Sequence, residues 1–285
     1  MKFFVTGVAG FLGSHVADEL ISQGHEVHGC DNLIGGSMDN VHEDVTFYQI
    51  DAIYLNQMKK MTKDVDVIIH TACTAYEGLS VFSPYLVGQN TYQISLSVFT
   101  AAVTNNVKRV INCSSMARYG NQEIMPYTED MIPKPADPYG IAKLASEQTL
   151  EVLSEVHGIE FVNLVPHNII GPKQKYDDPY RNVVSIMINR ILNGNAPIIY
   201  GDGEQTRCFS DIDDVVNPML NSIFSEEAKG QTINVGPDED VITINQLASK
   251  VLKVLNSDLD PIYVKERPKE VKYAHCSSEK SRNIL

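Results

Sequence analysis

The feature that most constrains this chain is its rhythm. Through the first 165 residues, short apolar runs alternate with amphipathic stretches. "KFFVTG" (2–7), "HEVHGCD" (25–31), "VTFYQID" (45–51), "VDVIIHTA" (65–72), "KRVINCSS" (108–115) and "EFVNLVP" (160–166) read as strands. "GSHVADELISQG" (13–24) and "TYQISLSVFTAAVTNN" (91–106) carry apolar residues at helical spacing. Strands that alternate with helices build a parallel sheet covered on both faces, because each connection must cross back over the sheet. Beyond 166 the rhythm loosens. "GPKQKYDDPYRN" (171–182) is loop-like, a helix is expected over 183–193, and "APIIYGDGEQTRCF" (196–209) contains a Gly-Asp-Gly turn. "INVG" (233–236) adds one more strand, and "TINQLASKVLKVLN" (243–256) is an amphipathic helix. The predicted fold is α/β, a doubly wound parallel sheet over 1–165 to which roughly 206–236 returns. Residues 166–205 and 237–285 are expected to form a smaller α/β lobe that binds substrate.

"VTGVAGFLGSH" (5–15) sets Gly7, Gly10 and Gly13 between the first strand and the first helix. Glycines there permit a tight turn and let a pyrophosphate approach the N–H groups and positive end of a helix. The spacing is a variant of the usual dinucleotide fingerprint, which makes the sheet Rossmann-type. Asp31 ends the second strand, where a carboxylate accepts hydrogen bonds from a ribose diol and repels a 2′-phosphate. No arginine follows it locally, so the expected cofactor is NAD rather than NADP. Asp51, at the end of the third strand, reads either as a loop carboxylate or as a group reaching the adenine.

"DPYGIAKLASEQTL" (137–150) places Tyr139 and Lys143 four apart at the head of a predicted helix, with Pro138 fitting its first turn. An ammonium about 5 Å from a phenol, at an effective dielectric near 20, favours the phenolate by roughly 3 kcal/mol, or about two pKa units. Such a tyrosine is a competent base toward an alcohol. Tyr-x-x-x-Lys by itself is also a common surface pair. "CSSMARYG" (113–120) follows the fifth strand, which puts its serines at the carboxyl edge of the sheet, where ligands bind in such folds.

Composition narrows the partners. Thirty-six acidic against 23 basic side chains give a net charge of −13, which disfavours nucleic acid and anionic membrane. Five scattered cysteines without a C-x-x-C pattern, and no charged leader before a long apolar run, point to a cytoplasmic protein with reduced thiols. No run approaches the ~20 apolar residues of a membrane span. The histidines lack partners at metal-ligand spacing, so no metal is expected.

"TGVAGFLGSH", "DN" (31–32), "HTA" (70–72), "SSMARYG", "YGIAK", "HNIIGP", "GDGEQTR" and "RPKEV" occur in this order along essentially the whole chain. On them the chain resembles the extended short-chain dehydrogenase/reductase family, and within it the sugar-nucleotide epimerases and dehydratases, in particular those like UDP-glucose 4-epimerase. The resemblance implies Ser115, Tyr139 and Lys143 as the catalytic set, with Tyr139 as base and Lys143 also on the nicotinamide ribose. It implies a cofactor site of Gly7, Gly10, Phe11, Leu12, Gly13, Asp31, Asn32, Asp51, Ala52, Ala72 and Asn90, with Tyr139 and Lys143. Ser115, Asn168, Asn182, Arg207 and Arg267 are implied on the substrate side, the two arginines on its diphosphate. It also implies a homodimer built from the helices near 91–105 and 139.

Two departures separate the activities within the resemblance. The 4,6-dehydratases carry Asp-Glu after the catalytic Ser or Thr, where this chain has Met116 and Ala117, and the decarboxylases expect a Glu nearby. The expected function is therefore an NAD-dependent epimerase of a nucleoside-diphosphate sugar, acting at C4, with UDP favoured by family frequency. A net oxidoreductase or dehydratase of a nucleotide sugar, and a non-catalytic NAD-binding protein, are the alternatives.

Overall fold

The computed structural model describes residues 1–178, 182–267 and 271–285. Parts of the 171–182 loop and of the "RPKEV" motif thus lie outside the described residues.

The expected strands form with slightly shorter bounds: β1 (Lys2–Thr6), β2 (Glu26–Asp31), β3 (Thr46–Gln49), β4 (Val67–His70), β5 (Arg109–Cys113) and β6 (Glu160–Pro166). Helices α1 (Phe11–Ser22), α2 (Leu55–Met61), the short α3 (Glu77–Ser80) and α4 (Pro84–Gly88), α5 (Ile94–Thr104) and α6 (Pro138–His157) connect them. A π-helical turn over Gln89–Gln93 leads into α5. Next come β7 (Ile169–Ile170), α7 (Val183–Leu192), β8 (Ile198–Tyr200), β9 (Thr206–Arg207), β10 (Ser210–Asp211), α8 (Asp213–Phe224) and β11 (Gln231–Val235). The chain closes with β12 (Ile242–Thr243), α9 (Ile244–Val254), β13 (Ile262–Val264), β14 (Tyr273–Ala274) and α10 (Glu279–Ile284).

The main sheet has the order β11-β6-β5-β4-β1-β2-β3, and all its pairings are parallel. This is the Rossmann-type arrangement, and its strand order reverses between β1 and β4. Alternation along the strands supplies both faces. Phe3, Val5, Ile69, Ile111 and Leu164 pack with Val16, Leu20, Val215, Met219 and Ile223 of α1 and α8. Phe4, Ile68, Val110 and Phe161 pack with Met58, Val98, Phe99 and Leu150 of α2, α5 and α6. Near-continuous apolar strands are what a sheet buried on both faces requires. No helix among the described residues is long and apolar enough to cross a membrane.

Helix α8 was not anticipated from the sequence. Its apolar period is present in Val215, Val216, Met219, Leu220 and Ile223, but Pro218 stands inside it and interrupts the pattern. Burial of that face against the sheet outweighs the lost hydrogen bond. Arg109, 2% exposed, secures the helix end: its guanidinium donates to the carbonyls of Ser222 and Ser225 at 3.0 Å and pairs with Glu160 at 2.8 Å.

A separate apolar core joins Met187 and Ile191 of α7, Ile199 of β8, and Ile244, Leu247 and Val251 of α9. The remaining strands form small sheets: β13 with β8, β10 with β7, and β12-β9-β14.

Candidate active site

The crevice begins where the strand order reverses. Gly7 follows β1 at φ +73°, and a Cβ there would lie 3.0 Å from the backbone of Ala72, after β4. Gly13 sits inside the first turn of α1, where a Cβ would come within 2.2 Å of the Gly7 carbonyl oxygen. Only glycine allows the β1 turn and the helix to close this tightly, leaving a cradle of backbone N–H groups at a helix N-terminus, the shape a pyrophosphate needs.

Asp31 caps the end of β2 beside it. Its carboxylate accepts from the backbone N–H of Ala9 at 3.1 Å and of Leu33 at 2.7 Å. Burial pushes its pKa up, while those two donors and Gly10 pull it down. Asp51 accepts from the Asn32 amide at 2.8 Å and from the backbone of Ile53 at 2.9 Å, so its carboxylate is already tied into the wall.

Helix α6 supplies the other wall. Asp137 caps it, accepting from Gly140 N–H at 2.8 Å, and Pro138 occupies its first position. A cap of this kind is worth about 1 kcal/mol. Tyr139 and Lys143 are both buried on the sheet side of the helix. The Lys143 ammonium donates to the Cys113 carbonyl at 2.6 Å and stands 5.9 Å from the centre of the Tyr139 ring. The expected acidification of the phenol does not appear in the protein alone. Burial, followed by Cys73, Glu77 and Cys113, drives the Tyr139 pKa well above 10, against the lowering effect of Ser115. Desolvation of a buried anion outweighs the pull of a cation that is itself aimed at a main-chain carbonyl.

The two serines have different surroundings. Ser114 gives its hydroxyl to Glu147 and its N–H to Leu164 O. Ser115 caps the short turn Met116–Arg118, accepting from Ala117 N–H at 3.2 Å, and its side chain faces the phenol.

Asn168 adopts φ 42°, a left-handed conformation that Asn tolerates better than most residues. Its amide donates to Cys208 O at 2.9 Å. Asn182 caps α7 and donates to Ile169 O at 3.4 Å. Arg207 donates to Thr206 O at 2.8 Å, and the Arg267 guanidinium lies 4.1 Å from the centre of the Tyr200 ring.

All of the residues singled out from the sequence line one crevice of about 660 Å³. Its lining includes Gly7, Gly10, Phe11, Leu12, Gly13, Asp31, Asn32, Asp51, Ala52, Ala72 and Asn90, Asn168, Asn182, Arg207 and Arg267, and Ser115, Tyr139 and Lys143. The sequence reading missed Cys73, Tyr76 and Glu77, which line the crevice from the segment after β4, and Arg190, Tyr200 and Gln205 from the smaller core. Tyr200 immediately precedes the "GDG" turn, and Gln205 follows it after Glu204. The bond from the Tyr76 hydroxyl to Asp178 has no local signal because the partners are 102 residues apart.

The sequence profile of the NAD dependent epimerase/dehydratase family matches residues 3–236. The chain is 30% identical over 284 residues to a putative UDP-glucose 4-epimerase of Methanocaldococcus jannaschii, covering 98% of this chain and 91% of that one. Its fold superposes with a TM-score of 0.94 on the UDP-glucose 4-epimerase of Thermotoga maritima solved with UDP-glucose, at 30% identity over 99% of this chain and 92% of the other. It superposes with a TM-score of 0.91 on the UDP-N-acetylglucosamine 4-epimerase of Methanobrevibacter ruminantium solved with UDP-N-acetylmuramic acid, at 36% identity over 98% and 90%. With the glycine cradle, the carboxylate at the end of β2 and the tyrosine–lysine pair in one crevice, the chain belongs to the NAD-dependent epimerase/dehydratase family.

Proposed function

We propose that this protein is a 4-epimerase of a UDP-sugar. The observation that carries the reading is that Tyr139, Ser115 and Lys143 line the same crevice as the glycine turn with Asp31 and as Arg207 and Arg267. Gly7, Gly10, Gly13 and Asp31 would hold NAD, which would supply the acceptor and returning donor for the hydrogen on C4. Tyr139 takes the proton of the 4-hydroxyl, Ser115 holds the same oxygen, and Lys143 fixes the phenol side of the crevice through its bond to Cys113 O. A buried phenol with a raised pKa is a poor base, so the role needs added positive charge in the crevice, which an oxidised nicotinamide carries.

Arg207, Arg267 and Asn168 hold the diphosphate, which suits guanidinium groups in an otherwise acidic protein. With the nucleotide anchored there, the hexose turns and presents its other face to the cofactor. Residues 166–205 and 237–285, which contribute α7, β8 and α9 with their own core, serve as the substrate lobe. The absence of acidic residues at Met116 and Ala117 supports epimerisation over dehydration. The names of the relatives support UDP as the nucleotide.

Purified protein incubated with UDP-glucose, UDP-N-acetylglucosamine and UDP-glucuronate, without added cofactor, is followed by proton NMR. Inversion at C4 of at least one sugar is expected. Decarboxylation, dehydration, or no change with all of them overturns the assignment.

A homodimer through α5 and α6 is part of the same reading. Ile141, Val152 and Val156 form an exposed apolar stripe on α6 at helical spacing, with Leu96 exposed on α5. Sedimentation of the wild type against Val152→Glu tests it: a dimer that becomes a monomer is expected, and a monomeric wild type refutes it.

A further inference from the structure

Helix α6 presents three chemical groups on one side at steps of four residues: Tyr139, Lys143 and Glu147. Glu147 is 1% exposed and does not line the crevice. One of its oxygens accepts the Ser114 hydroxyl, and the other accepts from Arg118 Nε at 2.9 Å. Ser114 and Arg118 are the two ends of the turn that carries Ser115. Arg118 is itself buried, with its guanidinium 4.9 Å from the centre of the Tyr119 ring. The same turn presses on the head of α6, where a Cβ at Gly140 would meet the Ala117 carbonyl oxygen at 2.5 Å.

A buried ion pair adds little net stability, because the desolvation of both charges offsets their attraction, and apolar side chains of similar size often fill such a space as well. What a carboxylate adds is direction, since its two oxygens hold two donors at a fixed separation. We propose that Glu147 and Arg118 are positioning residues: the carboxylate clamps both ends of the Ser114–Arg118 turn onto α6 and so holds the Ser115 hydroxyl against Tyr139. The catalytic meaning rests on the epimerase reading, whereas the clamp itself does not.

The test uses the full chain with NAD and compares Glu147→Gln, Ser115→Ala and the double variant. With the UDP-sugar that the wild type turns over, Glu147→Gln lowers kcat on the order of 10- to 100-fold, the scale of a misplaced catalytic group. KM stays within about twofold, as for an interaction used in the transition state. In the Ser115→Ala background the same change costs no further activity, because a residue that acts through Ser115 has nothing left to position. Losses that multiply independently overturn the proposal.

Amide hydrogen exchange needs no substrate. Glu147→Gln accelerates exchange over 114–120 and leaves β1 and β4 unchanged; unchanged protection over 114–120 overturns the clamp. A wild type inactive on every sugar sinks the epimerase reading, and the exchange result still decides the clamp. Should Glu147→Gln not fold, Arg118→Met combined with Glu147→Leu removes both charges while filling the space. That variant folds with kcat still reduced, and full recovery of kcat shows a merely structural pair.

Discussion

The Lys143 ammonium donates to the carbonyl oxygen of Cys113, joining the crevice face of α6 to the end of β5 at 2.6 Å. This bond spans 30 residues of sequence and sets the height of Tyr139 over the carboxyl edge of the sheet, one helical turn away.

Removal of the Tyr139 hydroxyl alone is therefore the sharpest test of the chemistry. Tyr139→Phe keeps the ring in its buried place and is expected to lower kcat by roughly 10²- to 10⁴-fold, the range of general acid–base catalysis. NAD content and Tm stay at wild-type values. A variant that retains most of its turnover removes the phenol from the mechanism.

Asp31 is expected to decide between the two nicotinamide cofactors. Its carboxylate is held by Ala9 and Leu33 in the position where a ribose diol donates. Asp31→Ser loses charge-assisted hydrogen bonds and with them on the order of tenfold in NAD affinity. NADP binding strengthens at the same time, because the repulsion of a 2′-phosphate is gone. Calorimetric titration of both cofactors measures the two changes; an unaltered NAD:NADP preference contradicts the role.

His70 gives a prediction in pH. It is buried between the Thr6 hydroxyl at 2.8 Å and the Ser95 hydroxyl at 3.0 Å. Burial, and then the charge of Lys143, lowers its pKa from 6.5 to about 3. Between those values the unfolded chain binds a proton at this site and the folded protein does not. Stability therefore falls as pH drops below 6.5, at about 1.4 kcal/mol per pH unit from this residue. Urea unfolding from pH 7 to 4.5 should show a shallower decline for His70→Gln than for the wild type. Parallel curves refute the assignment of a neutral imidazole.

Arg109 carries a stability prediction away from the site. Arg109→Met leaves carbonyls at the end of α8 without their donor and removes one of two cations from Glu160, which keeps Lys229 at 2.7 Å. The expected cost is about 1–3 kcal/mol, the scale for leaving buried acceptors unsatisfied. The urea midpoint falls while the catalytic constants of the surviving folded protein stay unchanged.

The sequence alone determined the alternation of strands and helices, the glycine turn, the acid at the end of β2 and the tyrosine–lysine step on α6. Each is written in local spacing: a period of two or of 3.6, a glycine where a side chain cannot fit, two residues one helical turn apart. Tertiary structure decided what depends on residues far apart in the chain. It tied the Ser114 hydroxyl to Glu147 on a distant helix and turned the Ser115 side chain toward the phenol. It also formed α8 in spite of Pro218, since the sheet rewards a buried apolar face more than the proline costs. The direction of the Tyr139 pKa shift differs from the one its spacing predicts for the same reason: spacing records the nearby cation, whereas desolvation arises only once the chain has folded around the ring.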